Sequence, residues 1–261
     1  MKTRSLWKES SLLAIVVIGC RGCAIHSATK GTGLDGGLAV IDGDGGTTTV
    51  TCSQPVPPPA PGPGMTKAPC DIYAEDGGPC VAAHSTVRAL YAAYNGPLYQ
   101  LRKADGSLKD IAPLAPGDLA NSADQDAFCG TGACTVSIIY DQSGRSNHLT
   151  KAPPGGAKRT GDNEANARSL PIMLGGRKVY GLQIVAGVGY RNNSACGTAT
   201  GDNAETEYMV VGGKFYNGGC CFDYGNMERN SRDKGEGTME AVYFGNCTIG
   251  GKGAANGPWV M

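Results

Sequence analysis

Eleven cysteines, three histidines and 23 carboxylates make up most of the side chains here that could do chemistry. The sharpest spacing is Cys220-Cys221, two thiols on adjacent residues. Adjacent Cα atoms lie about 3.8 Å apart across a trans peptide, below the roughly 4.4–6.8 Å usual for a disulfide. Geometry alone therefore favours separate partners for the two, or free thiols. Cys20-Arg21-Gly22-Cys23 is the single C-x-x-C, and no second pair stands at zinc-finger spacing, so no metal site is expected. No cofactor is expected either. His84 and His148 are candidate bases, but no G-x-S-x-G elbow accompanies them, and hydrogen-bonding roles are expected instead. Glu240 is the tempting carboxylate in a strand-like run beside Met239, where alternation turns a polar residue to solvent. Asp223, two residues after the double cysteine, could face a ligand or hold a turn.

The compartment follows from the N-terminus. Lys2, Arg4 and Lys8 precede an apolar run over residues 11–19, too short to span a bilayer as a helix and suited to an export signal. Val17-Ile18-Gly19-Cys20 resembles the bacterial lipobox, in which the cysteine is lipidated and becomes the mature N-terminus. Residues 1–20 are thus expected to be a signal peptide, Cys20 a lipidation site, and the protein a bacterial secreted or cell-surface lipoprotein. Such an anchor tethers a protein without a transmembrane helix. In an exported chain the cysteines read as disulfides. Charge is balanced, 23 Lys+Arg against 23 Asp+Glu, which argues for no nucleic acid and for membrane contact only through the lipid. A monomer is expected.

The elements that must position these residues are mostly strands. Glycine is abundant at 41 residues and aromatics are 7%, a usage that suits tight turns between strands. Residues 21–66 read as a linker, ending in a polyproline stretch over 55–64 that would act as an extended, semi-rigid spacer. The folded domain is expected over residues 67–261. Ser85 or Thr86 could cap a short helix to Tyr94, since Val87, Leu90, Tyr91 and Tyr94 fall on one helical face and Gly96 follows. Strand patterns then dominate, at residues 135–140, 179–185, 208–211 and 239–244. Strands without intervening helical periods predict an all-β antiparallel sandwich. Gly257-Pro258-Trp259-Val260-Met261 starts an apolar strand with no stop signal after it, so the sandwich is expected to be incomplete at the C-terminus.

Several stretches together resemble the catalytic domain of glycoside hydrolase family 54, the α-L-arabinofuranosidases. They include Pro69-Cys70-Asp71-Ile72-Tyr73, Pro79-Cys80-Val81-Ala82-Ala83-His84, Tyr140-Asp141-Gln142-Ser143-Gly144-Arg145-Ser146-Asn147-His148, and Gly189-Tyr190-Arg191-Asn192. Tyr216-Asn217-Gly218-Gly219-Cys220-Cys221-Phe222-Asp223-Tyr224 and Asn256-Gly257-Pro258-Trp259-Val260-Met261 complete the series to the chain end.

The resemblance implies a concanavalin-like, jelly-roll β-sandwich and retaining hydrolysis of terminal α-L-arabinofuranosyl groups. The partner is then an arabinose-containing polysaccharide, arabinan or arabinoxylan. It also implies a vicinal Cys220–Cys221 disulfide at the floor of the sugar pocket with Asp223 beside it, and disulfides Cys70–Cys80 and Cys129–Cys134. Cys52 lies in the linker. Cys196 and Cys247 are extra to the family pattern and could pair with each other or stay free. In the family the nucleophile follows the segment matching Trp259-Val260-Met261 and the acid/base lies further on, so no catalytic residue is expected within this chain. Gly250 stands where the family has a pocket tryptophan, which removes an aromatic sugar platform. An inactive fragment of such an enzyme is one reading. A non-catalytic carbohydrate-binding or degenerate sandwich module is the other.

Overall fold

The computed structural model describes residues 15–20, 37–41, 47–52, 55–154, 160–192, 194–198, 205–212, 244–245 and 259–260. In chain order the elements begin with strands Ile15–Cys20 (β1), Gly37–Ile41 (β2) and Thr47–Thr51 (β3), then helix Pro69–Glu75 (α1). Strands Cys80–Ser85 (β4), Tyr99–Lys103 (β5) and Leu108–Ile111 (β6) lead to helix Ser122–Cys129 (α2). Cys134–Ile139 (β7), Leu149–Lys151 (β8), Pro171–Leu174 (β9), Arg177–Tyr180 (β10) and Tyr190–Arg191 (β11) follow. Glu205–Met209 (β12), Phe244–Gly245 (β13) and Trp259–Val260 (β14) close the series.

Every ladder between these strands is antiparallel, as the strand-without-helix pattern predicted. The largest sheet has five strands in the order β11-β8-β7-β5-β6. A three-stranded sheet runs β12-β1-β4, with Cys20 of β1 opposite Glu205. The pairs β9-β10, β2-β3 and β13-β14 form separate ribbons. The β2-β3 ribbon falls inside the segment read as linker.

β4 is buried along its whole length and separates two apolar clusters. Val81 and Ala82 pack with Tyr99, Leu101, Ile111, Val136, Ile139, Leu149 and Tyr190 of the five-stranded sheet. Cys80 and Ala83 pack with Cys70, Val87, Leu90, Tyr91 and Val179. A strand covered on both faces reads as a continuous buried run, and alternation is lost.

The helix expected over residues 85–94 does not form. Ser85 ends β4, and residues 86–94 are irregular, with bends, a turn and a single antiparallel bridge from Arg88 to Leu119. The apolar spacing is real, because Val87, Leu90 and Tyr91 are buried. The backbone amides, however, find partners far away in sequence. Ala89 N donates to Asp118 O at 3.0 Å, and Leu90 N to Gln142 Oε1 at 2.7 Å. Ala92 N donates to Asp71 Oδ2 at 2.8 Å. Long-range acceptors replace the i−4 carbonyls, so burial of a helical-looking face needs no helix. The real helices lie elsewhere. α1 starts on Pro69, whose missing N–H costs nothing at that position. α2 is capped by Asn121, whose side chain accepts from Asp124 N, and ends at Gly130 with positive φ.

The other strand patterns also shift at their ends. The 179–185 pattern is strand only to Tyr180, and 208–211 is paired over Glu205–Met209. Within 239–244 the described part is Phe244.

Candidate functional site

The most developed polar constellation among the described residues is the turn between β7 and β8. Asp141 is buried at its centre. Its Oδ1 accepts from Ala83 N at 2.8 Å and Ser143 N at 2.9 Å. Its Oδ2 accepts from Ser143 Oγ at 2.7 Å and Asn147 N at 3.0 Å. One carboxylate thus satisfies four donors and fastens the turn to β4. Gln142, fully buried, continues the join: its Oε1 accepts from Leu90 N and its Nε2 donates to Arg88 O. Asn147 faces two ways. Its Nδ2 donates to Val81 O at 2.8 Å and to Cys196 O at 2.9 Å, and its Oδ1 accepts from Cys196 N at 2.7 Å.

Both candidate histidines, His84 and His148, belong to this constellation. His84 lies in β4, and its Nε2 donates to Asn147 O at 2.8 Å. His148 Nδ1 accepts from Asp141 N at 3.0 Å, and its ring meets Tyr140 edge-on with centroids 5.0 Å apart. Burial lowers the pKa of each below the ordinary histidine value, while the Asp141 charge opposes that shift. Both are therefore neutral near pH 7, and the Nδ1 lone pair of His148 is already engaged. These are positions for holding a turn, not for taking a substrate proton.

A second network lies on the outer face of the five-stranded sheet. Gln100 Nε2 donates to Asp110 Oδ1 at 3.0 Å, and Tyr140 OH donates to the same oxygen at 2.9 Å. Burial and the Asp110 carboxylate push the Tyr140 phenol up to about 12. In the core, Tyr99 OH donates to Gln125 Oε1 at 2.6 Å while Gln125 Nε2 donates to Ala167 O at 2.7 Å. Nothing in the spacing of Gln125 or Gln142 marks them as cross-links; each is a lone glutamine until the chain folds.

Among the cysteines, the structure joins Cys70 to Cys80 and Cys129 to Cys134. It joins Cys196 to Cys52, 144 residues away, so the expectation that Cys196 pairs with Cys247 or stays free is corrected. The reason is spatial: the segment carrying Cys52 lies against the β7–β8 turn, through a hydrogen bond from Val56 N to Gly144 O. Cys220, Cys221, Asp223, Glu240, Cys247 and Gly250 lie outside the described residues. Among the described residues, no cluster of three or more His, Cys, Asp or Glu could hold a metal.

Comparison with known proteins places this framework. The profile described as "Alpha-L-arabinofuranosidase B, catalytic" matches residues 69–261. A probable α-L-arabinofuranosidase B of Aspergillus terreus is 57% identical over 202 residues, covering 76% of this chain and 40% of the relative. An α-L-arabinofuranosidase of Hypocrea jecorina is 56% identical with the same coverage. A solved arabinofuranosidase in complex with arabinofuranosyl-α-1,2-xylobiose superposes with a TM-score of 0.65 at 48% identity, over 74% of this chain and 41% of that one. A family 54 α-L-arabinofuranosidase mutant soaked with 4-nitrophenyl α-L-arabinofuranoside gives the same values. The antiparallel strands, the few helices and this likeness fit a β-sandwich. The chain spans about 40% of the length of the curated relatives it matches.

These relatives are fungal, and that overturns the expected bacterial secreted or cell-surface lipoprotein. Lipobox processing belongs to the bacterial setting, and a short apolar run before a cysteine is too generic to outweigh homologues from another kingdom. The three disulfides among the described residues fit an extracellular, oxidising environment. Matched over residues 69–261 by the profile and at more than half identity by these relatives, the chain belongs to the family of α-L-arabinofuranosidase B catalytic domains.

Proposed function

We propose that the protein to which this chain contributes hydrolyses terminal α-L-arabinofuranosyl groups of arabinose-containing polysaccharide, with retention of configuration. The observation that carries this reading is the profile match over residues 69–261 together with 57% identity to a probable α-L-arabinofuranosidase B. Retention needs two carboxyl groups about 5–5.5 Å apart. One attacks the anomeric carbon and forms a glycosyl-enzyme. The other protonates the leaving oxygen and then takes a proton from the water that releases the sugar. By the family pattern the nucleophile follows the segment matching Trp259-Val260-Met261, so none of the carboxylates in this chain is assigned the role. Cys220 and Cys221, as a vicinal disulfide, would give the furanose a rigid apolar floor, with Asp223 beside it.

The experiment is turnover of 4-nitrophenyl α-L-arabinofuranoside by the 261-residue chain and by a version extended through the downstream family segment. The extended protein is expected to release 4-nitrophenol. The short chain is expected to be slower by at least about 10²-fold, the contribution typical of positioned acid/base groups. Trapping with methanol should yield the α-methyl arabinofuranoside, and the β product would refute retention. No turnover by the extended protein, with retained arabinan binding, would replace the enzyme by a binding module. Non-reducing peptide mapping that joins Cys220 or Cys221 to a distant cysteine would remove the pocket floor.

A further inference from the structure

We infer that Cys52 and residues 55–66 form a redox-controlled strap: oxidised, it is fastened across the β7–β8 turn by Cys52–Cys196, and reduced, it becomes a free spacer. The family profile begins at residue 69, so Cys52 and Val56 fall outside it while their partners Cys196 and Gly144 fall inside. The contact therefore joins a segment outside the matched span to one inside it.

The receiving surface is prepared on the domain side. Gly144 has φ of 81°, and a Cβ there would lie 1.9 Å from Val56 O, so only glycine lets the strap approach. The Cys196 backbone is held in both directions by the Asn147 amide, within the same turn that Asp141 organises. The strap side is weakly held. Val56 N to Gly144 O, 3.1 Å, is the one backbone hydrogen bond from 55–66 to the domain among the described residues. The Val56 side chain is 78% exposed, and the prolines beside it have no N–H to donate. Pro55, Pro58 and Pro61 are half-buried, but with one backbone hydrogen bond to the domain the covalent bond is the main fastening of the strap.

That bond is also the most accessible of the three. Cys52 and Cys196 are half-buried. Cys70, Cys80, Cys129 and Cys134 are all buried, none more than 3% exposed. Thiol–disulfide exchange needs access for the attacking thiolate, so an added dithiol opens Cys52–Cys196 first. The exchange balances: the Sγ–Sγ bond breaks, each Sγ ends as a thiol, and the dithiol supplies two electrons and two protons as it closes to its own disulfide.

The test uses the full chain and no glycoside substrate, so its outcome is separate from that of the proposed activity. Non-reducing peptide mapping should link the Cys52 peptide to the Cys196 peptide. Under mild dithiol with alkylation, these two cysteines should be labelled about tenfold faster than Cys70, Cys80, Cys129 and Cys134. Hydrogen exchange at the Val56 amide, the strap N–H bonded to Gly144 O, should accelerate about tenfold or more on that reduction. It should do the same in Cys52→Ser/Cys196→Ser. A Cys52 found free or joined elsewhere would overturn the strap. So would equal exchange of the Val56 amide before and after reduction, or labelling of the buried pairs first.

Discussion

The β7–β8 turn and the β9-β10 ribbon are both tied to their neighbours by charged groups, and they differ in where those groups sit. In the turn, Asp141 is 5% exposed and satisfies four donors from Ala83, Ser143 and Asn147. On the ribbon, Arg177 meets Asp118 with two hydrogen bonds, and Lys178 meets Asp126, all on surfaces open to water. Water and salt screen the second kind, whereas removing a buried acceptor leaves several donors with nothing to replace it. The number of polar contacts is similar; the cost of losing them is not. The turn should therefore decide stability and the ribbon should be expendable.

The largest effect expected is from Asp141→Ala, which leaves the amides of Ala83 and Asn147 without their acceptor. A loss of about 3 kcal/mol or more is expected in urea denaturation. Asp141→Asn should recover part of it, since an amide oxygen can accept while its NH₂ meets donors. Next comes Gln142→Leu, which strands Leu90 N and Arg88 O while filling the same space. About 2 kcal/mol is expected, read the same way.

A third effect is carried by pH. His84 and His148 both have folded pKa values depressed by burial, so the unfolded state binds their protons more readily. Their contribution is whole above the unfolded value of about 6.5 and is lost as pH falls toward and through the folded value. The melting temperature should drop on acidification from pH 7 to pH 5. His148→Gln should flatten that slope, and an unchanged slope would mean other groups govern it. The smallest effect is on the ribbon: Lys178→Ala should cost under about 1 kcal/mol and less at high salt. A cost equal to that of Gln142→Leu would erase the contrast between the two regions.

The same contrast marks how much could be read in advance. Strand patterning is a local property, and it located β7 to within a residue. The family stretches, read as strings, identified the domain that the profile match bears out. The proposed sugar site was legible only as a resemblance, because residues such as Asp223 and Cys221 have no chemistry that spacing alone can declare. The 85–94 segment was misread because its apolar face is buried as expected while its amides go to residues 71, 118 and 142. Helical periodicity reports which side chains are buried. It does not report which carbonyls their backbones will find.

Sequence by itself determined the strand-rich class, the turn glycines and the membership of the family, since each depends on residues near one another or on strings that need no folding to compare. Tertiary structure alone decided that Cys196 meets Cys52 across 144 residues, that Gln142 serves Leu90 and Arg88, and that His84 is held by Asn147. Eleven cysteines allow many pairings, and a polar side chain has many potential partners. Which one it meets is settled by which segments the two apolar clusters draw together when their surface leaves water.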